Sequence, residues 1–302
     1  MSLVRFAYRD GRQDVGVLDG DAVTPLGVGS FAELLHWSLD DIRTAYEYPA
    51  GFVTARDAVR LLPPVDGRME VWAAGVTYKT SQTERMKESQ AAASVYDRVY
   101  DAVRPELFFK SAAWRVVGDG EPISVRADSA VDVPEPELAV VLNAGGDTVG
   151  YTICNDVSSR TIEGDNPLYL PQAKIYLGGC AVGPAVVPVW QLPDPTDLAI
   201  RMSIHRGGAP VWSGAASTSQ LHRTLADLVA HLLRADAFPD GVVLSTGTCL
   251  VPELPFTLDT GDVVAISIDG IGSLTNPVVR GRDGVEWLVA AADDVRLRPS
   301  SG

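Results

Sequence analysis

The chain has 302 residues, 46% hydrophobic and 21% charged, which suits one large globular domain or a large one with a small companion. Its net charge of −14 argues against a nucleic-acid partner, which needs clustered Lys and Arg, and against an anionic membrane surface. A small anionic substrate would therefore need local compensation from a metal or a lysine. The opening residues lack an apolar signal core, and no later run is long enough to span a bilayer. Cys154, Cys180 and Cys249 show no Cys-x-x-Cys spacing, so we expect reduced thiols in a cytoplasmic protein. With 28 Gly and 20 Pro, many turns and much β structure are expected.

Residues 1–65 read as a small separate α/β module. Leu3 to Tyr8 alternates like a strand, Asp10-Gly11 signals a turn, and Val15 to Leu18 continues a hairpin. Phe31 to His36 suits a short helix, with His36 packed or on the surface. Residues 61–65, Leu-Leu-Pro-Pro-Val, read as a linker, and 66–302 form the large domain. Glu70 to Gly75 reads as a buried strand. Tyr78 to Val103 is rich in Lys, Glu, Gln, Ala and Met and predicts a long helix, either a lid or an ordinary exposed helix. Pro105 stops it, and Glu106 opens an apolar strand as a solvated end or a site residue. Residues 115–130 suggest a hairpin turning at Asp119-Gly120.

The richest stretch runs from Val133 to Asp156. Leu138 to Leu142 and Val149 to Cys154 are apolar runs, and Ala144-Gly145-Gly146-Asp147 has tight-turn chemistry. Folding about Gly145 and Gly146 places Glu135 opposite Asp156 and Glu137 opposite Cys154. Directly opposed residues sit about 5 Å apart at Cβ, and Glu135 and Glu137 share a face. Three carboxylates then converge, and they repel unless a cation joins them. A hard divalent ion with oxygen ligands is the natural counter-charge, Mg²⁺ first, with Mn²⁺ or Ca²⁺ as substitutes. The alternative is a solvated acidic edge.

Residues 157–173 read as a polar loop ending at Lys174, which is either a surface charge or a group turned into the acidic pocket. Leu198 to Arg206 and Pro210 to Ser213 alternate like strands, and Thr218 to Arg234 predicts an amphipathic helix. His222 and His231 are expected to be structural, and His205 has no partner at a metal spacing. Gly241 to Thr248 predicts a strand ending in Thr246-Gly247-Thr248, a weak anion-binding signal. Val263 to Leu274 adds strand, and 283–302 reads as a short element and a loose tail. Strands and helices do not alternate regularly, so the expected fold class is α+β with a large, mostly antiparallel β core.

Residues 72–279 resemble the fumarylacetoacetate hydrolase superfamily. The likeness rests on Pro134-Glu135-Pro136-Glu137-Leu138, Gly150-Tyr151-Thr152, Asn155 to Arg160, Lys174, Thr246-Gly247-Thr248 and Gly270 to Leu274. It implies a β-roll-like fold, Mg²⁺ on Glu135, Glu137 and Asp156, and a homodimer or homotetramer. The superfamily's C–C hydrolases carry Tyr-x-x-His-x-x-Glu in a lid, whereas the stretch here is Tyr78-Lys79-Thr80-Ser81-Gln82-Thr83-Glu84. Ser81 stands in the histidine's place, and a serine is no near-neutral base.

Val99 to Lys110, the Pro-Glu-Pro-Glu-Leu run and Asn166 to Tyr176 resemble a narrower group, the 2-keto-3-deoxy-D-arabinonate dehydratases. That likeness implies dehydration of a small 2-keto-3-deoxy sugar acid to 2,5-dioxopentanoate in pentose catabolism. It makes Glu106 and Lys174 site residues. Glu106 would assist departure of the C4 hydroxyl, Lys174 would take the C3 proton or anchor the carboxylate, and Thr248 would hydrogen-bond that carboxylate. The competing expectations are hydrolysis of an acylpyruvate or fumarylpyruvate-type bond, with Glu84 as base, and a non-catalytic metal-binding scaffold.

Overall fold

Every residue of the strand Pro136–Leu142 is buried, as are eight of the nine in Thr148–Asp156. Such unbroken burial requires cover on both faces, and these strands lie well inside a twelve-stranded sheet. The computed structural model describes residues 1–78 and 98–299. On one side of the hairpin come Val242–Thr248, antiparallel to Pro136–Leu142, then Glu70–Gly75, parallel to it, then Glu106–Ala112. On the other side come Ala185–Pro188, Ser2–Ala7, Gln13–Asp19, Ala22–Val28 and Thr54–Ala55. A five-stranded sheet runs Ala209–Ser217, Ala199–Arg206, Val263–Ile268, Gly272–Arg280 and Ile123–Val125.

Leu138, Val140, Ile153 and Leu244 pack on one face of the large sheet against Ile200, Met202, Ile204 and Ile266 of the smaller one. On the opposite face Ala139, Val141 and Val243 meet Leu3, Phe31, Leu34 and Leu35. Residues 1–65, expected as a small module, thus share both a sheet and a core with the rest. The expected linker at 61–65 is partly strand: Arg60–Leu62 pairs with Ser2–Ala7, and Val65 is buried. Pairing is mostly antiparallel and helices are minor, the longest among the described residues being Leu39–Glu47. No helix there is long and apolar enough to cross a membrane.

The predicted register holds where it matters. Pro136 pairs with Asn155, Glu137 with Cys154 and Val141 with Gly150, and a slip comes only between Val141 and Leu142. The cause is the turn. Asn143 Oδ1 accepts from the Asp147 N–H at 2.7 Å, closing a longer loop than two glycines alone would make.

Four expectations are corrected. Residues 115–130 form no hairpin: Ile123–Val125 runs parallel to Gly272–Arg280, and Asp119-Gly120 bonds to Thr275 of that distant strand. The polar loop after Asp156 contains the helices Arg160–Asp165 and Leu170–Lys174. Ser159 caps the first by accepting from the Ile162 N–H. The helix expected over Thr218 to Arg234 spans only Leu225–Leu232, because Thr224 caps it by accepting from Asp227 N–H. Within the described residues the tail is anchored rather than loose, since Arg298 is buried and pairs with Glu121 at 2.6 Å. Most of the long helix expected over Tyr78 to Val103 lies outside the described residues.

His36 is structural. Its Nε2 lies 3.1 Å from Asp240 Oδ1, which also pairs with Arg68 Nη2 at 2.8 Å. Hydrogen bonds from Arg68 hold the Asp240 carboxyl well below the usual carboxylate range. A depressed folded pKa means the contribution is present above the unfolded value and is lost as pH falls through the folded one. Asp240→Asn should cost about 1 kcal/mol at pH 7, kept small because Arg68 is exposed. That difference should shrink in denaturant melts run at progressively lower pH, and equal stabilities at pH 7 would count against it.

Candidate metal centre

Glu135, Glu137 and Asp156 each offer an oxygen within 4.8 Å of the other two, and each is 1% exposed. The hairpin brings them there. Asp156 N–H donates to the Glu135 carbonyl at 3.0 Å, and Glu135 N–H donates to Asn155 Oδ1 at 3.1 Å. Glu137 lies between Cys154 on one neighbouring strand and Thr248 on the other. Burial pushes its carboxyl well above the usual range, and Asp156, Cys154 and Glu135 push the same way.

A second irregularity shapes this corner. Glu137 pairs with Thr248 but Ala139 with Ser245, so the Val242–Thr248 strand carries an extra residue here. The bulge turns the Gly247 N–H onto Glu137 Oε2 at 2.8 Å, beside Ser245 Oγ at 2.5 Å. Gly247 has φ +95°, and a Cβ there would lie 1.9 Å from Thr77 Oγ1, so glycine is required.

Buried cations complete the site. Lys174, 1% exposed, donates to Glu135 Oε2 at 2.7 Å, Asp156 Oδ2 at 3.0 Å and Ser158 Oγ at 2.5 Å. Lys174 is thus buried against the acidic cluster rather than on the surface. Arg160 pairs with Glu135 Oε1 at 2.7 Å and with Glu163 Oε2 at 3.1 Å. Lys110 Nζ lies 2.5 Å from Asp156 Oδ1. Sequence reasoning assigned no role to Lys110, Arg160 or Glu163. The Arg160–Glu163 spacing of three fits one helical turn, but only the cap at Ser159 would have shown that a helix starts there.

Thr248 stands across from Glu137, with its hydroxyl donating to the Pro136 carbonyl at 3.0 Å. Glu106 opens its strand opposite Gly75, and a Cβ on Gly75 would fall 1.9 Å from Glu106 Oε2. Lys79, Ser81 and Glu84 lie outside the described residues. The all-oxygen, all-carboxylate donor set suits a hard divalent cation, and the cluster is able to bind one.

Residues 70–279 match the family described as Fumarylacetoacetate (FAA) hydrolase C-terminal, and the chain belongs to that family. It is similar to a 2-dehydro-3-deoxy-D-arabinonate dehydratase of Saccharolobus solfataricus, 39% identical over 93% of this chain and 97% of the relative. A Haloferax volcanii protein named probable 2-keto-3-deoxyxylonate dehydratase is 51% identical over 71% of this chain and 73% of its own. Among solved structures, 2-keto-3-deoxy-D-arabinonate dehydratase complexed with magnesium and 2,5-dioxopentanoate superimposes with a TM-score of 0.79. It is 36% identical and is matched over 93% of this chain and 100% of that one.

Proposed function

We propose that the protein is a Mg²⁺-dependent dehydratase of a 2-keto-3-deoxy sugar acid, forming 2,5-dioxopentanoate from 2-dehydro-3-deoxy-D-arabinonate or its xylonate-derived equivalent. The observation that carries this reading is the near-full-length likeness to the Saccharolobus dehydratase. The site supplies the matching chemistry. Glu135, Glu137 and Asp156 would hold the ion, which when bound supplies Lewis-acid polarisation of the keto acid's oxygens.

The chain's own residues do the rest. Lys174 takes the C3 proton as the neutral amine, after giving up one of its own protons, or anchors the C1 carboxylate as the ammonium. Glu106 delivers a proton to the departing C4 hydroxyl, so the C3–H and C4–O bonds break and water leaves. Tautomerisation through C5 then yields the aldehyde. Thr248 orients the carboxylate. In this reading residues 66–302 are the catalytic unit, supported by the family match at 70–279, and residues 1–65 are a small module that extends its sheet. Assembly as a homodimer or homotetramer, on the family resemblance, and residence in the cytoplasm, on three free cysteines, belong to the same proposal.

The test is purified protein with Mg²⁺ and 2-keto-3-deoxy-D-pentonate, followed by trapping of the aldehyde product. Absence of turnover, or release of pyruvate from a β-diketo acid instead, would overturn the reading. Glu106→Gln should lower turnover by about 10²–10⁴-fold while still binding Mg²⁺. Near-normal turnover in that variant would remove Glu106 from the mechanism.

A further inference from the structure

Lys110 is held at the site by main-chain oxygens as well as by a carboxylate. Along the strand Glu106–Ala112, Ser111 pairs with Val71 and Phe109 with Trp72, so Lys110 is the extra residue of a β-bulge. A bulge re-aims a side chain away from simple alternation. Here it sends the Lys110 stem inward, where the residue is 1% exposed. Its ammonium donates to the Lys174 carbonyl at 2.6 Å and the Val157 carbonyl at 3.0 Å, and forms an ion pair with Asp156 Oδ1 at 2.5 Å.

Two of those acceptors are main-chain carbonyls. Lys174, by contrast, donates to the side-chain oxygens of Glu135, Asp156 and Ser158. The Lys174 carbonyl also ends the helix Leu170–Lys174, where a terminal carbonyl lacks an intrahelical donor. One ammonium therefore ties the end of the hairpin, the end of that helix and the bulged strand into a single point.

We infer that Lys110 is a positioning residue: it fixes the Asp156 carboxylate and the Lys174 main chain so that Asp156 and the Lys174 amine face one another at a set distance. The inference rests on reading Glu135, Glu137 and Asp156 as ligands of a divalent ion. Its consequence is ion selectivity. Mg²⁺ demands near-ideal short octahedral geometry, whereas Ca²⁺ tolerates looser and more variable ligands. A rigid Asp156 favours Mg²⁺, and a released one favours Ca²⁺.

The test compares affinities for Mg²⁺ and Ca²⁺ by titration calorimetry in wild type, Lys110→Met and Lys110→Gln, without substrate. Loss of a positive charge alters attraction for both divalent ions alike, so the ratio of the two affinities isolates geometry from charge. Lys110→Gln keeps amide donors for the two carbonyls and serves if Lys110→Met does not fold. The Mg²⁺-over-Ca²⁺ preference should fall about tenfold in both variants, in line with the usual effect of residues that orient metal ligands. An unchanged ratio in a folded variant, even with a lowered melting temperature, would overturn the inference and leave a purely structural lysine. Wild type that binds neither ion would instead overturn the metal reading on which the inference rests.

Discussion

Glu137→Gln should abolish turnover and weaken Mg²⁺ binding by about 100-fold or more, since loss of an orienting neighbour alone costs 10–100-fold. The side-chain oxygen of Gln can still accept from Ser245 and Gly247, whose donors both reach Glu137 Oε2 in the wild type. The fold should therefore survive. Burial raises the Glu137 carboxyl pKa, so keeping it ionised costs stability in the absence of a bound cation. The sign follows: for a raised carboxyl, the cost appears as pH rises above the unfolded value and grows until the folded pKa is passed. In chelator at neutral pH, Glu137→Gln should melt no lower than wild type, and Mg²⁺ should raise the melting temperature of wild type only. Calorimetric titration showing wild-type Mg²⁺ affinity in the variant would count against ligation.

Lys174→Met is the second large effect. Turnover should fall by about 10²–10⁴-fold if the amine moves a proton. The form of the loss separates its two assigned roles. A base lost from the reaction lowers kcat with little change in KM, whereas a lost carboxylate anchor raises KM. Removing one partner from a buried ion pair commonly costs about 3–5 kcal/mol. Here the cost should be smaller, because Arg160 still holds Glu135 Oε1 and Lys110 still holds Asp156 Oδ1. Lys174→Arg should not restore activity, since a planar guanidinium cannot replace an ammonium that contacts Glu135, Asp156 and Ser158 together. Activity in Lys174→Met within a few-fold of wild type would exclude both roles.

The acidic trio was legible because a hairpin's pairing follows from arithmetic once its turn is located. Glu135, Glu137 and Asp156 met as counted, since the slip at Leu142 lies on the turn side of them. What counting could not reach were the bulges. Alternation along Glu106–Ala112 gives no hint that Lys110 is an unpaired extra residue, and alternation along Val242–Thr248 does not aim the Gly247 N–H at Glu137. The helices after Asp156 were hidden for a different reason. They are six and five residues long, too short for a periodic pattern, and only the first carries a side-chain cap, at Ser159, to announce it. The hairpin expected over 115–130 failed because the donors and acceptors of Asp119-Gly120 are satisfied by a strand more than 150 positions away.

The slip between Val141 and Leu142 makes the two ends of the hairpin unequal. Length changes within residues 143–147 can dissipate at that joint, so an inserted tag or a trimmed tip should leave the carboxylates aligned. One residue added between Glu135 and Glu137 has no such escape and would turn the two glutamates, which now share the cluster, to opposite faces. The tip is thus the natural place to graft a reporter, and the foot is the place where a single added codon would silence the protein.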